Sequence, residues 1–508
     1  MQEDLQSLYE SAVKSYAAGQ GQAALHWCER CLSIDPENAE ILHLRGAIAL
    51  ALDDVPDAER WVAQAARRSP NPAFLNTLSV IQTRAGAYGR ASESARAALE
   101  SAAQWQPGVD KIVLLYNYGR ALQMDAQPER AAAAYRELLE LDPAHDQALN
   151  NLGAVLASLG EFDAAIEHLD RALQIQPGNL KAHANLGFAL LTLGRYKEAW
   201  PYFEHRWLLG RTSEGKSMEG GPNLSIPQWK GEAVRADRDR LLILHEQGLG
   251  DTLHFCRYIP MAAERFSQIA FMGPKSLRRL LTQSFGTLQN FVYLEADEVH
   301  LTQWDKYVSL LSLPLAFGTD MDTIPASIPY LQADAHAAHR WSERLARLSD
   351  AAWPRIGLVW AGSSVIPEID AQRSMPTEKI DKLIAWPHAC WISLQKPVND
   401  AKCLQSRQRA RIVDWMSEID DFADTAALVA SLDLVICVDT SVAHLAGALG
   451  KPVWLLNRHE GCWRWMRHRE DTHWYPDMRI FNQDESGDWD AVLESVLAEL
   501  ERGAWRRP

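Results

Sequence analysis

The chain has 508 residues, 47% hydrophobic and 23% charged, with a formal net charge of -15. That length exceeds a single hydrophobic core, so two to four domains of about 100–200 residues are expected. The acidic balance argues against a nucleic-acid or anionic-membrane binder, no apolar run approaches the ~18 residues that span a bilayer, and seven cysteines are too few for a disulfide framework. The opening MQEDLQSLYE is acidic and lacks an apolar core, so no secretory signal is expected and the cysteine usage fits a reducing cytoplasm.

The first element in chain order is a set of repeats. LNNLGAVLASLGEFDAAIEHLDRALQIQP (149–177) returns as AHANLGFALLTLGRYKEAWPYFEHRW (182–207). Asn151, Leu152 and Gly153 recur as Asn185, Leu186 and Gly187, and Gly160, Phe162 and Ala165 as Gly194, Tyr196 and Ala199, a period of 34. Pro36, Pro70, Pro107, Pro143 and Pro177 close successive units. The pattern resembles the tetratricopeptide repeat, a helix pair whose small residues let the helices approach closely. About six copies over residues 1–210 predict an all-α solenoid with a concave groove, because no unit buries its apolar stripe alone. Asn117, Asn151 and Asn185 stand two residues before the repeat glycine. This is similar to the asparagine ladder of repeat-bearing O-GlcNAc transferases, which implies that the three amides line the groove and grip a peptide backbone. Frequent asparagine at that place in the repeat is the competing explanation. Cys28 and Cys31 form a CxxC without a second pair, and on an amphipathic helix they read as core residues.

Residues 211–240, rich in Gly, Pro, Ser and charge, read as a linker, partly packed through Ile226 and Trp229. From residue 241 short apolar runs alternate with helical stretches, at 241–244, 269–272, 291–294, 306–313, 356–360, 390–394, 434–438 and 452–456. Such runs predict buried parallel strands. AAWP (351–354) separates two groups of them, which gives two Rossmann-like halves, 241–335 and 354–500, facing each other across a cleft. The expected class is α + α/β.

Two constellations carry chemistry. In LVICVDTSVAHLAGALGKPVWLL a strand ends at Asp439, Thr440 and Ser441, and a helix then begins with His444 in its first turns. A helix start offers unpaired N–H groups and the positive dipole end, which suits phosphate. Asp, Thr and Ser are also ordinary N-caps, and local physics leaves both readings open. In LLILHEQGLGDTLHF the strand is followed by Gly248, Gly250 and Asp251. Here the glycines are expected to allow a tight turn, and Asp251 is either a helix cap or a carboxylate aimed into the cleft. Gly362 and Ser363 follow a third strand and could approach a nucleotide, Arg373 either neutralises a departing diphosphate or is a surface arginine, and Gln395, at a strand end, could bind a base. In GCWRWMRHR (461–469), taken to follow the last strand, Trp463, Arg464 and Trp465 either stack on a base or ribose or pack onto the sheet, and packing is the preferred reading for the tryptophans. His459, His468 and His473 lack the i, i+4 spacing with an intervening Glu, so no metal site is expected.

The combination GLGD (248–251), GLVWAG (357–362), SLQ (393–395) and DFADTAALVASLDLVICVDT (421–440) with DTSVAHLAGALGKP (439–452) is similar to the heptosyltransferase family of the GT-B fold. The resemblance implies a glycosyltransferase that inverts the anomeric carbon without a metal or other cofactor. It implies Asp251 as the general base, and a nucleotide-sugar site formed by Gly248, Gly250, Gly362, Ser363, Arg373, Gln395, Asp439, Thr440, Ser441 and His444. Ser441 stands where heptosyltransferases commonly carry glycine, so the sugar itself is not implied. Fusion to the repeats points to protein glycosyltransferases, including those that modify flagellin, with the acceptor docked on the repeat groove. The competing functions are an inactive repeat adaptor and a lipopolysaccharide or other glycan transferase.

Overall fold

The computed structural model describes residues 4–102, 110–209, 222, 224–348, 354–362, 367–396 and 411–505. Pro107, Ser363, most of 211–223 and the AAWP positions 351–353 lie outside them. The chain divides into two compact units, Met1–Ala189 and Leu190–Pro508.

The first unit is a run of paired helices: α1 (Leu5–Ala17) with α2 (Gly21–Ile34), α3 (Ala39–Ala51) with α4 (Val55–Arg68), α5 (Pro72–Arg84) with α6 (Tyr88–Ala102), α7 (Lys111–Met124) with α8 (Pro128–Leu141), and α9 (Asp146–Ser158) with α10 (Phe162–Ile175). The first helix of each pair starts on a side chain that accepts a first-turn N–H: Asp4, Asn38, Asn71, Asp110 and His145. The repeat glycine is required by close packing. A Cβ on Gly153 would sit 2.5 Å from the Leu169 side chain, and one on Gly119 2.6 Å from Tyr135. Cys28 and Cys31 are fully buried on α2, and burial pushes the Cys28 thiol up to about 12. They are core residues.

The asparagines stitch neighbouring repeats together. Asn117 Nδ2 donates to Asn76 Oδ1 at 2.9 Å, and Asn185 Nδ2 to Asn150 Oδ1 at 3.0 Å. His43 Nε2 and Thr77 Oγ1 meet at 2.9 Å in the equivalent place of the earlier repeats. Asn151 donates to the Tyr135 hydroxyl at 3.3 Å and accepts from Asn150 at 3.0 Å. Each of these amides therefore spends part of its hydrogen-bonding capacity inside the solenoid.

The second unit begins in α11 (Leu180–Thr192) and takes in α12 (Tyr196–Phe203) and α13 (Arg206–Leu209). The repeat pattern assigned these residues to the solenoid up to 210. Their aromatic side chains account for the difference. Trp200 Nε1 donates to the Thr319 carbonyl at 2.7 Å, and the Tyr196 hydroxyl accepts from Trp474 Nε1 at 3.0 Å. Downstream, Trp229 is buried, and its N–H donates to the Tyr307 carbonyl at 2.7 Å.

Two parallel sheets follow. The first has the order β3-β2-β1-β4, from β1 (Arg240–Leu244), β2 (Gln268–Met272), β3 (Phe291–Leu294) and β4 (Lys306–Ser309). The second has the order β10-β9-β8-β5-β6-β7, from β5 (Arg355–Val359), β6 (Cys390–Ser393), β7 (Val413–Asp414), β8 (Leu434–Val438), β9 (Val453–Asn457) and β10 (Met478–Asn482). Both are Rossmann-like. The run 306–313 is strand only to Ser309, after which the chain winds into a 3-10 turn and a short helix. β7 and β10 were not expected. β7 has only two residues, and the apolar run of β10 is interrupted by Arg479 and ends at Asn482, as an edge strand allows. The segment 461–469 consequently lies between β9 and β10 rather than after the last strand. Among the described residues no helix is long and apolar enough to cross a membrane.

Candidate active site

Open parallel sheets bind ligands where the strand order reverses, beyond the carboxyl ends of the strands. The reversals lie between β1 and β4 in the first sheet and between β5 and β8 in the second. The loops leaving β1, β5 and β8 meet around one cavity of about 540 Å³. Gly248, Gly250 and Asp251 line it from the first half, and Gly362, Arg373, Gln395, Asp439, Thr440, Ser441 and His444 from the second. Ser363 is outside the described residues. Lys396, Arg458 and Arg464 add positive charge to the same walls.

The helix start after β8 separates the two readings of DTS. Thr440 occupies the N-cap position of the Ser441–Ala448 helix with extended backbone, φ -140 and ψ 170, and its side chain makes no capping hydrogen bond. Thr440 Oγ1 is sealed from solvent and has no partner among the described residues. By contrast, the nearby Phe422–Ala430 helix is capped by Asp421, which accepts from Ala423 and Asp424. The open first turn leaves N–H donors for an anion at the cavity wall, with the orphaned hydroxyl buried beside them. Burial pushes the Asp439 carboxyl above the usual carboxylate range.

The loop after β1 differs from the glycine-turn expectation. The left-handed residue is Gln247, at φ 58, while Gly248 is extended at φ -86. Gly250 is needed for contact: a Cβ there would lie 3.2 Å from His444 Cδ2 and 3.3 Å from Ser441 Cα. α14 (Leu249–Phe255) thus abuts the Ser441–Ala448 helix directly. Asp251 Oδ2 accepts the Gly248 N–H at 3.0 Å, while Oδ1 accepts from Arg464 Nη2 at 2.5 Å. The loop is held from behind by Glu246, which is 6% exposed and accepts two bonds from Arg206, at 2.7 and 3.1 Å. Burial raises the Glu246 carboxyl, and Arg206 opposes the rise. Removing one member of so buried a pair generally costs about 3–5 kcal/mol, so α13 is a structural part of this loop.

Two expected donor contacts are already engaged. Gln395 Oε1 accepts from the Ala361 N–H at 2.9 Å, and its Nε2 donates to the Lys396 carbonyl at 3.0 Å. The amide therefore ties the ends of β5 and β6 together and leaves little for a base. Arg373 packs on Gly362, where a Cβ would lie 2.1 Å from its Nε, and faces Asp370 at 3.6 Å. Trp463 and Trp465 are buried; Trp465 stacks on His444 with centroids 5.4 Å apart.

Behind the cavity, the Tyr475 hydroxyl meets His444 Nδ1 and His254 Nδ1, each at 3.0 Å, and the Tyr330 hydroxyl at 3.2 Å. One hydroxyl hydrogen cannot serve two imidazoles, so at least one histidine carries its proton on Nδ1 and donates. Burial holds both histidines well below the usual histidine pKa, so each is neutral at pH 7. Below about pH 6.5 the unfolded chain then binds more protons than the folded one, and stability falls as pH drops. Each histidine should contribute a loss of about 1.4 kcal/mol per pH unit until its folded pKa is reached. Urea unfolding at pH 7.5 and 5.5 measures this; His254→Gln should flatten the dependence, and an unchanged midpoint in the parent would contradict neutral burial.

Sequence reasoning missed Arg464 as the partner of Asp251, and Arg206 with Glu246 as the support of the loop. The only signal for the first was an arginine between two tryptophans; the second pair is 40 residues apart with no motif.

Comparison with known proteins agrees with this division. Tetratricopeptide repeat models match residues 15–81 and 116–179, and the model described as "Glycosyltransferase family 9 (heptosyltransferase)" matches 385–456, from β6 through the Ser441–Ala448 helix to β9. The chain is 24% identical over 516 residues to Protein FlbA of Caulobacter vibrioides, covering 96% of this chain and 83% of that protein. Solved structures similar to part of the chain include YrrB, a tetratricopeptide protein with an unusual peptide-binding site, at 20% identity over 35% of this chain and 90% of that one with a TM-score of 0.32. PilW, a widely conserved type IV pilus biogenesis factor, matches at 16% identity over 41% of this chain and 93% of its own with a TM-score of 0.36. The chain carries tetratricopeptide repeats and, over 385–456, a segment that matches glycosyltransferase family 9.

Proposed function

We propose that this protein moves a sugar from a nucleotide-activated donor to a hydroxyl of a protein acceptor, with inversion at the anomeric carbon, in the cytoplasm. The observation that carries the reading is the uncapped start of the Ser441–Ala448 helix, with the orphaned Thr440 hydroxyl, opening on the cavity that Asp251 lines from the other half. The diphosphate lies against Thr440 and Ser441. The acceptor hydroxyl approaches from the first half and attacks the anomeric carbon opposite the leaving diphosphate, and Asp251 takes the proton. Arg373, Arg458 and Arg464 meet the developing charge, so the reading calls for no metal ion.

The acceptor docks on the solenoid. Asn117, Asn151 and Asn185 keep hydrogen-bonding capacity beyond their bonds to neighbouring repeats, and a flagellin-like protein is an acceptor of suitable kind. Full-length protein incubated with nucleotide sugars and candidate acceptor proteins, read by intact mass, tests the reading. A glycosyl increment on an acceptor supports it, and transfer that persists equally on isolated glycans with no protein modified would replace it with a glycan transferase.

A further inference from the structure

Arg464 is 8% exposed, and its guanidinium lies 4.6 Å over the Trp463 ring. Besides Asp251 it donates to Cys462 Sγ at 3.1 Å, and its Nε is sealed from solvent with no partner among the described residues. Its pairing has a direct chemical consequence. Both oxygens of Asp251 are engaged, Oδ2 by the Gly248 N–H and Oδ1 by Arg464. Arg464 and the Gly248 N–H thus each occupy a carboxylate oxygen that an incoming acceptor hydroxyl would use. A buried guanidinium stripped of its anion is costly, so Arg464 releases Asp251 only when another anion replaces it. Thr440, Ser441 and Arg464 line the same cavity, so a diphosphate held at the helix start is an anion in position to do so.

The geometry points to Arg464 as a donor-operated switch for the proposed transfer, and this inference rests on that reading. In the empty cleft Arg464 holds Asp251. When the nucleotide sugar binds, the guanidinium turns to the diphosphate, and Oδ1 becomes available to the acceptor hydroxyl. The acceptor oxygen then bonds to the anomeric carbon, its proton passes to Asp251, and the carbon–oxygen bond to the diphosphate breaks with its electron pair leaving on the diphosphate beside Arg464. The base is therefore competent only with donor in place.

Calorimetric titration of the full-length protein with inorganic pyrophosphate tests this in four forms: parent, Asp251→Asn, Arg464→Gln and the double variant. Releasing Arg464 from its carboxylate should tighten pyrophosphate binding by roughly tenfold in Asp251→Asn, since a charged hydrogen bond no longer competes. Arg464→Gln should weaken binding, and Asp251→Asn should gain nothing in that background. Arg464→Lys, which keeps the charge, guards against a variant that unfolds, and Asp251→Asn should still tighten binding there. A gain of equal size with and without Arg464 would mean simple loss of negative charge and would overturn the switch alone. Pyrophosphate that binds none of the forms would overturn the donor site and the switch together.

Discussion

Asp251→Asn is expected to cut sugar transfer by about 100- to 10,000-fold, the usual worth of general base catalysis, while donor binding is tightened rather than lost. The amide preserves shape and still accepts the Gly248 N–H through its oxygen, so the start of α14 survives. It cannot take a proton at neutral pH. The ion pair with Arg464 is lost, and with the amide oxygen on Gly248 the buried guanidinium faces the amide NH2, which cannot accept from it. Melting temperature should therefore fall, and the fall should shrink when pyrophosphate is present. Steady-state kinetics with donor in excess, beside calorimetry and melting on the same preparation, separate these effects. Transfer at the parental rate by a folded variant would reduce Asp251 to a helix cap with an ion pair and would remove the base from the mechanism.

The fold was legible where periodicity was strong. The 34-residue recurrence from Asn151 to Asn185 located the helix pairs, and LVICV at 434–438 coincides with β8 residue for residue. It failed where contacts, not pattern, decide. Tyr196 and Trp200 continue the repeat by sequence, yet they pack with Trp463 and Trp474 in the second unit. β10 hides because an edge strand keeps polar positions. The candidate site was legible through its loops, since glycine and acidic or hydroxyl residues at the ends of predicted strands are local features. What those residues do was less legible. Gly250 serves a close helix approach rather than a turn, Gln395 ties two strand ends, and the asparagines bind one another between repeats. Each of these roles depends on a partner distant in sequence, as does the pairing of Asp251 with Arg464 across 213 positions.

The central claim is that the Ser441–Ala448 helix start holds the diphosphate of a nucleotide sugar. Ser441→Glu probes it with little cost to the fold, because a carboxylate in the first turn of a helix is favourable to the helix. The same carboxylate stands against the bound diphosphate. At about 4 Å and an effective dielectric of 20 the repulsion is about 4 kcal/mol, roughly a thousandfold in affinity. The measurement is calorimetric titration of full-length parent and Ser441→Glu with a panel of nucleoside diphosphates. The expected result is that at least one nucleoside diphosphate binds the parent with one site and that Ser441→Glu loses this binding while retaining its melting transition. No binding of any nucleoside diphosphate to the parent, or equal binding to both proteins, would contradict the donor site.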